Sequence, residues 1–190
     1  MAIRIFIDQG HNPVGHNTGA EGHGLREQDV NFEIGMMLAE LLLADPHFQV
    51  RLSRETADVI LGTNNASSLA ARVNAANSWG AHYFVSIHGN ANVNPAVHGS
   101  EVYVYREGTQ SYWLAQHVLK HMVSQAGTKD NGVRVNSSLY VLRRTNMPAI
   151  LVETAYLTNE NDAKLLRENP EAFARGIYLG LLSYFGLEPV

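Results

Sequence analysis

Short apolar segments alternate with amphipathic segments along most of the chain. The apolar segments are only a few residues long and rich in β-branched and aromatic residues, which is typical of buried strands. They predict strands at residues 3–7, 48–52, 83–85, 100–105, 139–142 and 149–152. Strands that alternate with helices form parallel sheets covered on both faces, so the pattern predicts one compact α/β domain with a largely parallel sheet.

Apolar residues spaced three and four apart predict the helices between these strands. Capping residues, Pro and Gly mark their ends. The helices are predicted over residues 27–44, from Ser67 or Ser68 to just before Gly80, over 109–124, from Asn159 or Asn161 to 168, and from Pro170 onward. Segments 12–24 and 127–136 are polar and contain several glycines, so they are predicted to be loops.

The composition restricts the possible functions. With 190 residues, 45% of them hydrophobic and 17% charged, the chain is long enough for one domain with a single core. A net charge of -4 and a pI near 6.1 disfavour a nucleic-acid partner. The absence of cysteine excludes disulfides, thiolate nucleophiles and cysteine-based zinc fingers. The N-terminus is strand-like and no apolar run is long enough for a bilayer, so we expect no signal peptide in this chain and no membrane insertion.

Four chemically capable side chains stand at predicted element ends. His11, His88 and Glu153 follow apolar strands, and Glu27 lies beside the glycine-rich loop at the start of a helix. Ligands bind at the carboxyl edge of open α/β sheets, where strand ends meet. A carboxylate that follows a buried strand is costly unless it binds a metal, accepts hydrogen bonds or is protonated. A single histidine such as His88 is more often a hydrogen-bonded core residue, so the hypothesis of a site depends on several ligands converging.

These four residue types match the needs of a zinc hydrolase. Two imidazoles and one carboxylate give tetrahedral zinc three protein ligands and leave the fourth position for water. A further carboxylate, which does not bind the metal, serves as the general base toward that water. His11, His88, Glu27 and Glu153 are suitable for these four roles.

The remaining histidines are interpreted as lying outside the site. His117 and His121 are four residues apart on a predicted helix, a spacing that also binds metals. No carboxylate at matching spacing and no strand end accompany them, so they are interpreted as a solvent-exposed face. The other five occur in the glycine-rich loop or beside turns: His16, His23, His47, His82 and His98.

Motifs spread over nearly the whole chain resemble those of a known enzyme family. They are Ile-Phe-Ile-Asp-Gln-Gly-His at 5–11, Glu-Gln-Asp-Val-Asn at 27–31, Arg72 with Ala-Asn at 76–77, Phe-Val-Ser-Ile-His-Gly-Asn-Ala-Asn at 84–92, Gly-Ser-Glu-Val-Tyr at 99–103, and Met-Pro-Ala-Ile-Leu-Val-Glu-Thr at 147–154 followed by Leu-Thr-Asn at 157–159. With these motifs the chain is similar to the zinc-dependent N-acetylmuramoyl-L-alanine amidases of the amidase-3 (AmiC/CwlV-like) family, which cut peptidoglycan.

The resemblance implies a fold, a cofactor and a set of site residues. It implies a single catalytic amidase domain over residues 1–190, a three-layer sandwich with a six-stranded, mostly parallel sheet between helices. It implies one Zn²⁺ ion on His11, Glu27 and His88, with water as the fourth ligand, and a catalytic Glu153. Peptidoglycan is the implied partner. The implied place of action is the bacterial cell wall, reached outside the cytoplasm or on release at lysis.

Two stretches depart from the family pattern. Residues 12–20 stand where the family usually has a Gly-rich acidic loop, and Ala155-Tyr156 stand where Gly-Phe is common. These departures concern the shape of the substrate groove rather than the chemistry. We expect neither wall-binding repeats nor an inserted autoinhibitory helix in this chain.

Two other functions are compatible with the motifs. One is a peptidoglycan-binding module that keeps the fold and has lost activity. The other is a zinc peptidase on a related fold that cuts within the stem peptide. The chemical groups released from the cell wall distinguish all three.

Overall fold

The structure is a computed structural model that describes residues 2–189. Within this range the elements follow one another as β1 (Ile3–Gln9), β2 (Glu21–Gly22), β3 (Leu25–Arg26), α1 (Glu27–Ala44), β4 (Phe48–Leu52), α2 (Asn65–Trp79), β5 (Tyr83–Asn90), β6 (Ser100–Val104), α3 (Gln110–Ala126), β7 (Asp130–Val135), α4 (Tyr140–Arg144), β8 (Ala149–Tyr156), α5 (Glu160–Glu168) and α6 (Pro170–Phe185). The alternation of strands and helices confirms the predicted α/β class.

Six strands form one mostly parallel sheet in the order β4-β1-β5-β8-β6-β7. Neighbouring strands are parallel except for β6 and β8, which pair antiparallel. Four strands therefore run one way, and the β6-β7 pair at one side runs the other way. Strand β8 lies between β5 and β6, although both precede it in the sequence. The predicted six-stranded, mostly parallel sheet is confirmed.

The sheet lies between two helical layers, each with its own apolar core. The larger core packs α1, α3 and α6 against one face of the sheet. The smaller core packs α2 and α4 against the other face. In the larger core α3 and α6 cross closely. A Cβ on Gly176 would lie 2.4 Å from the Cα of Met122, and a Cβ on Gly180 would lie 2.4 Å from the Cα of Val118. These glycines let the two helix backbones touch.

Most predicted helix ends are confirmed. Thr109 and Asn159 cap α3 and α5, Pro170 opens α6, and Gly80 ends α2 in the left-handed region with φ 67°. The predicted cap of α2 at Ser67 or Ser68 is wrong. Asn64 is the cap: its side chain accepts from the Ser67 backbone N–H at 2.9 Å, while the Ser67 hydroxyl contacts the Asn64 backbone N–H in return. Serine at the third helical position completes a capping box and so resembles a cap itself.

Two other segments differ from the predictions, and a third does so in part. Residues 139–142, predicted as a strand, form the N-cap and the first three residues of helix α4, where Val141 and Leu142 are buried in the smaller core. The sixth strand is instead β7, inside the segment predicted as a loop. As an edge strand it keeps its side chains exposed or half-exposed, so it has no apolar pattern to reveal it. The glycine-rich segment 12–24 also contributes to a short hairpin, β2-β3.

The length and apolar character of the helices show whether any of them could span a membrane. Across residues 2–189, none of the helices combines the length and the apolar character needed to cross a bilayer.

Candidate metal and catalytic site

Three of the predicted site residues converge at one edge of the sheet. His11 follows β1, His88 lies in β5, and Glu27 is the first residue of α1. Oxygen Oε1 of Glu27 is 3.0 Å from His11 Nε2 and 2.9 Å from His88 Nδ1. One ligand atom from each residue lies within 4.8 Å of the others, an arrangement able to hold a metal ion. These residues are called the His-Glu-His group below.

The backbone at His11 is held in a costly conformation. His11 has φ 70°, the left-handed region that non-glycine residues rarely adopt. The guanidinium of Arg72 stabilises it: Nη2 donates to the His11 carbonyl at 2.6 Å, and Nη1 donates to the Gln9 carbonyl at 2.5 Å and to Asp8 Oδ1 at 2.7 Å. Ser86 donates to the other Asp8 oxygen at 2.8 Å. A buried ion pair thus fixes the direction in which His11 leaves the strand.

The hydrogen bonds around the group fit a bound cation. His11 Nδ1 lies 3.2 Å from the carbonyl oxygen of Asn17. A carbonyl only accepts, so in the neutral ring the proton is on Nδ1 and the lone pair of Nε2 points at the Glu27 carboxylate. Two acceptors facing each other repel unless a cation lies between them. A carbonyl that orients the ring from behind is also the usual support of a metal-binding histidine.

Glu27 is buried and its charge is strongly stabilised. Burial alone raises the pKa of this carboxyl, but with no metal between them, protons of the His11 and His88 rings that face it form hydrogen bonds that outweigh burial, and the net pKa is lowered. The backbone N–H groups of Ala20 and Gly89 also donate to its two oxygens, at 2.9 and 3.3 Å. The group therefore presents one ionised carboxylate and two imidazoles, a donor set suited to zinc.

Two glycines make room for these side chains. A Cβ at Gly10 would lie 2.4 Å from the His88 ring, and a Cβ at Gly19 would lie 2.6 Å from the Glu27 carboxylate. Any larger residue would displace a member of the His-Glu-His group. Their roles were not identified from the sequence, although the glycine-rich loop was a usable signal.

Glu153 lies beside the group without belonging to it. On β8 it is in register with His88 of β5 and with Glu101 of β6. Its side chain is partly exposed, yet Oε2 is buried and has no hydrogen-bond partner among residues 2–189. Burial, and then the negative charges of Glu27 and Glu101, raise the pKa of Glu153 well above its ordinary value. This position suits a group that takes up and releases a proton.

A second buried carboxylate, Glu101, was not identified as a site residue from the sequence. Its Oε1 accepts from Asn90 Nδ2 at 2.8 Å, from the Tyr103 hydroxyl at 3.0 Å and from the Tyr156 hydroxyl at 3.4 Å. Its Oε2 is 2.6 Å from Arg134 Nε. Burial, and then the charge of Glu101, raise the pKa values of Tyr103 and Tyr156 to about 12, so both hydroxyls are donors at neutral pH. Strand alternation could have placed Glu101 and Tyr103 on one face.

A cavity of about 130 Å³ opens beside the two histidines. Asp8 and Arg72 also line it, and its remaining wall is mainly apolar. The apolar lining residues come from α2, β8 and the segment around α4: Leu69, Leu139, Tyr140, Val141 and Leu151. The helix that was predicted as a strand thus forms one wall next to the site.

The structure accounts for other histidines. His117 Nδ1 is 2.9 Å from the Ser183 hydroxyl, and its ring meets Tyr184 edge-on. The interpretation of His117 as solvent-exposed is therefore correct only in part, because its half-buried ring packs against α6. His16 contacts the Leu61 carbonyl at 3.1 Å.

Comparisons with known proteins show the family to which the chain belongs. The family model described as N-acetylmuramoyl-L-alanine amidase matches residues 5–183. The chain is 36% identical to the N-acetylmuramoyl-L-alanine amidase CwlM of Bacillus licheniformis, over 97% of this chain and 70% of CwlM. It is 35% identical to the amidase LytC of Bacillus subtilis, over 95% of this chain and 35% of LytC, and so spans about a third of that protein. The crystal structure of an N-acetylmuramoyl-L-alanine amidase from Clostridium difficile 630 superposes with a TM-score of 0.87 at 34% identity, covering 97% of each chain.

Proposed function

This chain belongs to the N-acetylmuramoyl-L-alanine amidase family, and from that premise we propose that it uses one zinc ion to hydrolyse the amide between N-acetylmuramic acid and L-alanine of peptidoglycan. We also propose that residues 1–190 act as one catalytic domain on the bacterial cell wall. The observation that supports this proposal best is the convergence of His11, Glu27 and His88 beside Glu153.

The proposed zinc ligands are His11, Glu27 and His88. Zinc, when bound, supplies a Lewis acid that polarises the scissile carbonyl and makes water a better nucleophile at neutral pH. The protein contributes the orientation of the ligands. Asn17 fixes the His11 ring from behind, and Arg72 fixes the backbone from which that ring projects.

Glu153 is the proposed proton carrier. Its carboxylate accepts a proton from the attacking water, and it returns this proton to the alanine nitrogen as the carbon–nitrogen bond breaks. Its register with His88 supports this role, because directly paired residues of neighbouring strands project from the same face of the sheet. The buried Oε2 without a partner leaves the carboxyl free to bond with a reactant.

The cavity beside the histidines supports a small, partly apolar substrate group. The scissile amide joins a lactyl group to alanine, and each carries one methyl group. A mainly apolar cavity of about 130 Å³ is suited to methyl groups of this kind.

The bond specificity is tested on purified peptidoglycan. We expect zinc-loaded protein, but not chelator-treated protein, to release free L-alanine amino ends while the glycan strands stay intact, as identified by mass spectrometry. Internal stem-peptide ends would instead indicate a peptidase. Binding to the wall without any release, with zinc fully loaded, would indicate a binding module.

The residue roles are tested by zinc content measured together with turnover. We expect Glu153→Gln to keep its zinc and lose on the order of 100- to 10,000-fold in activity, since it removes the proton carrier alone. His88→Ala should lose zinc and activity together. His98→Ala, an exposed histidine outside the group, is the matched control and should change neither. A Glu153→Gln protein without zinc would identify Glu153 as a ligand instead.

A further inference from the structure

Polar side chains continue from the His-Glu-His group across the sheet to its edge. His88 of β5 is in register with Glu153 of β8, and Glu153 with Glu101 of β6. Tyr103, two residues after Glu101, is in register with Arg134 of β7. Paired residues and residues two apart share one face of a sheet, so these side chains form one row on the face that carries the catalytic candidates. The name "polar row" is used for Glu153, Glu101, Tyr103 and Arg134.

Glu101 is the fixed centre of the polar row. Its side chain is 3% exposed, whereas that of Arg134 is 52% exposed. Tyr103 and Asn90 hold one carboxylate oxygen, and the other lies 2.6 Å from Arg134 Nε. The buried carboxylate thus attracts the guanidinium as an ion pair, although Oε2 accepts no hydrogen bond from a donor among residues 2–189.

The outer part of Arg134 is left for a ligand. Among residues 2–189 its terminal nitrogens make no ion pair or hydrogen bond with another side chain. The ion pair with Glu101 keeps the guanidinium beside the sheet, and its two terminal nitrogens can offer two parallel N–H donors that match the two oxygens of a carboxylate.

The distance along the row fits the start of a stem peptide. Strand β7 lies two strand spacings from β8, which is roughly 10 Å. An extended peptide advances about 3.3–3.6 Å per residue, and the arginine side chain reaches part of the way back. A peptide cut next to Glu153 and lying across β6 would bring the carboxylate of its second residue to Arg134.

We propose that Arg134, held by Glu101, binds the free α-carboxylate of the glutamyl residue that follows the scissile alanine. This inference rests on the proposed amidase function and adds a specificity determinant to it. An enzyme with this contact distinguishes stem peptides that carry a carboxylate at this position from those that carry a carboxamide.

The test uses two synthetic disaccharide muropeptides with the same tripeptide, one with the glutamyl α-carboxylate free and one with it as a carboxamide. We expect the zinc-loaded wild-type protein to favour the free acid by roughly 10- to 100-fold in kcat/KM, since hydrogen bonds between charged groups contribute this much. Arg134→Gln should bring the ratio to about one by raising KM for the acid alone. Arg134→Lys should restore part of the preference, and Arg175→Gln, an exposed arginine on α6, should leave it unchanged.

Structural and binding roles give different results in this experiment. If Arg134 only neutralises Glu101, Arg134→Gln slows both substrates equally and the inference is wrong. The double variant Glu101→Gln/Arg134→Gln removes both charges, so it leaves no unpaired buried carboxylate and tests the ratio if the single variant does not fold. A wild-type ratio near one also overturns the inference while leaving the amidase function intact. If the zinc-loaded protein cleaved neither the two muropeptides nor peptidoglycan, the amidase function itself would be contradicted.

Discussion

Arg72 joins the interior of the sheet to the backbone of a proposed zinc ligand. One guanidinium bonds to the carboxylate of Asp8 and to the carbonyls of Gln9 and His11, and the side chain is 1% exposed. The fork geometry of arginine allows these bonds at once, and lysine cannot reproduce them. The left-handed conformation of His11 therefore depends on a residue that does not touch the metal position itself.

We expect Arg72→Lys to lower zinc affinity by roughly 10- to 100-fold, the usual effect of losing a residue that orients a ligand. Competition with a chelating dye measures this affinity, and circular dichroism verifies that the variant is folded. Arg175→Lys, exposed on α6, is the control. A folded Arg72→Lys protein with wild-type zinc affinity would show that His11 holds its conformation unaided.

At the scale of residues, the sequence predicted the chemically active side chains better than it predicted the residues that hold them in place. His11, Glu27, His88 and Glu153 stand at predicted element ends and in recognisable motifs, so their proximity was predictable. Their roles stay proposals. The pairing of Glu101 with Arg134 was not predictable, because it depends on β7, which has no apolar pattern. The contact of Arg72 with the His11 carbonyl needs three-dimensional coordinates.

At the scale of elements, the contact between α3 and α6 depends on residues without side chains. Gly176 and Gly180 each face a backbone atom of α3. Their spacing of one helical turn places both on the same face. Bulk at either position would separate the helices and disturb the larger core.

We expect Gly180→Ala to lower the free energy of unfolding by about 1–3 kcal/mol, because overpacking displaces the α3 backbone near Val118. In a solvent-exposed helix the same change would raise the free energy of unfolding by up to about 1 kcal/mol. The sign of the change therefore shows whether Gly180 is packed against α3. Urea unfolding followed by circular dichroism gives the value. Arg175→Ala on the exposed face of α6 should change it by less than about 0.5 kcal/mol.

The end of α1 provides a pH-dependent contact far from the site. The Asp45 side chain is buried and accepts from the Tyr178 hydroxyl at 2.9 Å and from the His47 backbone N–H at 2.9 Å. Burial raises the pKa of Asp45, but these hydrogen bonds outweigh it and the net pKa lies below the ordinary 3.8. The unfolded chain thus binds this proton at higher pH than the folded chain does.

The stabilisation by Asp45 should accordingly be complete above the ordinary carboxyl pKa and be lost as pH falls through the lowered one. We expect Asp45→Asn to be less stable than wild type at neutral pH and the difference to shrink as the pH falls below the ordinary carboxyl pKa. Urea unfolding of metal-free protein at several pH values measures it. Glu168→Gln, at an exposed position of α5, is the comparison, and a difference independent of pH would contradict the assignment.

The elements also show what a linear pattern can and cannot predict. Five of the six sheet strands were predicted because burial gives them an apolar pattern. Residues 139–142 are equally apolar, but they form the N-cap and first turn of the five-residue helix α4, which is too short for periodicity to separate from a strand. Tertiary packing against α2 decides their conformation.

At the scale of the whole molecule, the proposed metal would connect distant parts of the chain. His11, Glu27 and His88 come from the end of one strand, the start of a helix and a central strand. A ligand that binds only the folded chain stabilises it by mass action. We expect free zinc at about 100 times its Kd to raise the free energy of unfolding by about 2.7 kcal/mol.

Thermal unfolding with and without chelator measures this effect. Glu153→Gln should retain the zinc-dependent stabilisation, whereas Glu27→Gln should lose most of it. Equal unfolding of loaded and stripped wild-type protein would contradict a metal centre at this position.

The position of β8 in the sheet has a consequence for how the chain folds. Strands β4, β1 and β5 can pair as soon as they are made, and so can β6 and β7. Among residues 2–189, β8 alone pairs with a strand of each group. A chain that stops before residue 149 lacks the strand that pairs with both groups, so no backbone ladder connects them. Such pairing between segments far apart in sequence slows folding. Because β8 also carries Glu153, the chain acquires its proposed proton carrier in the same step that completes its sheet.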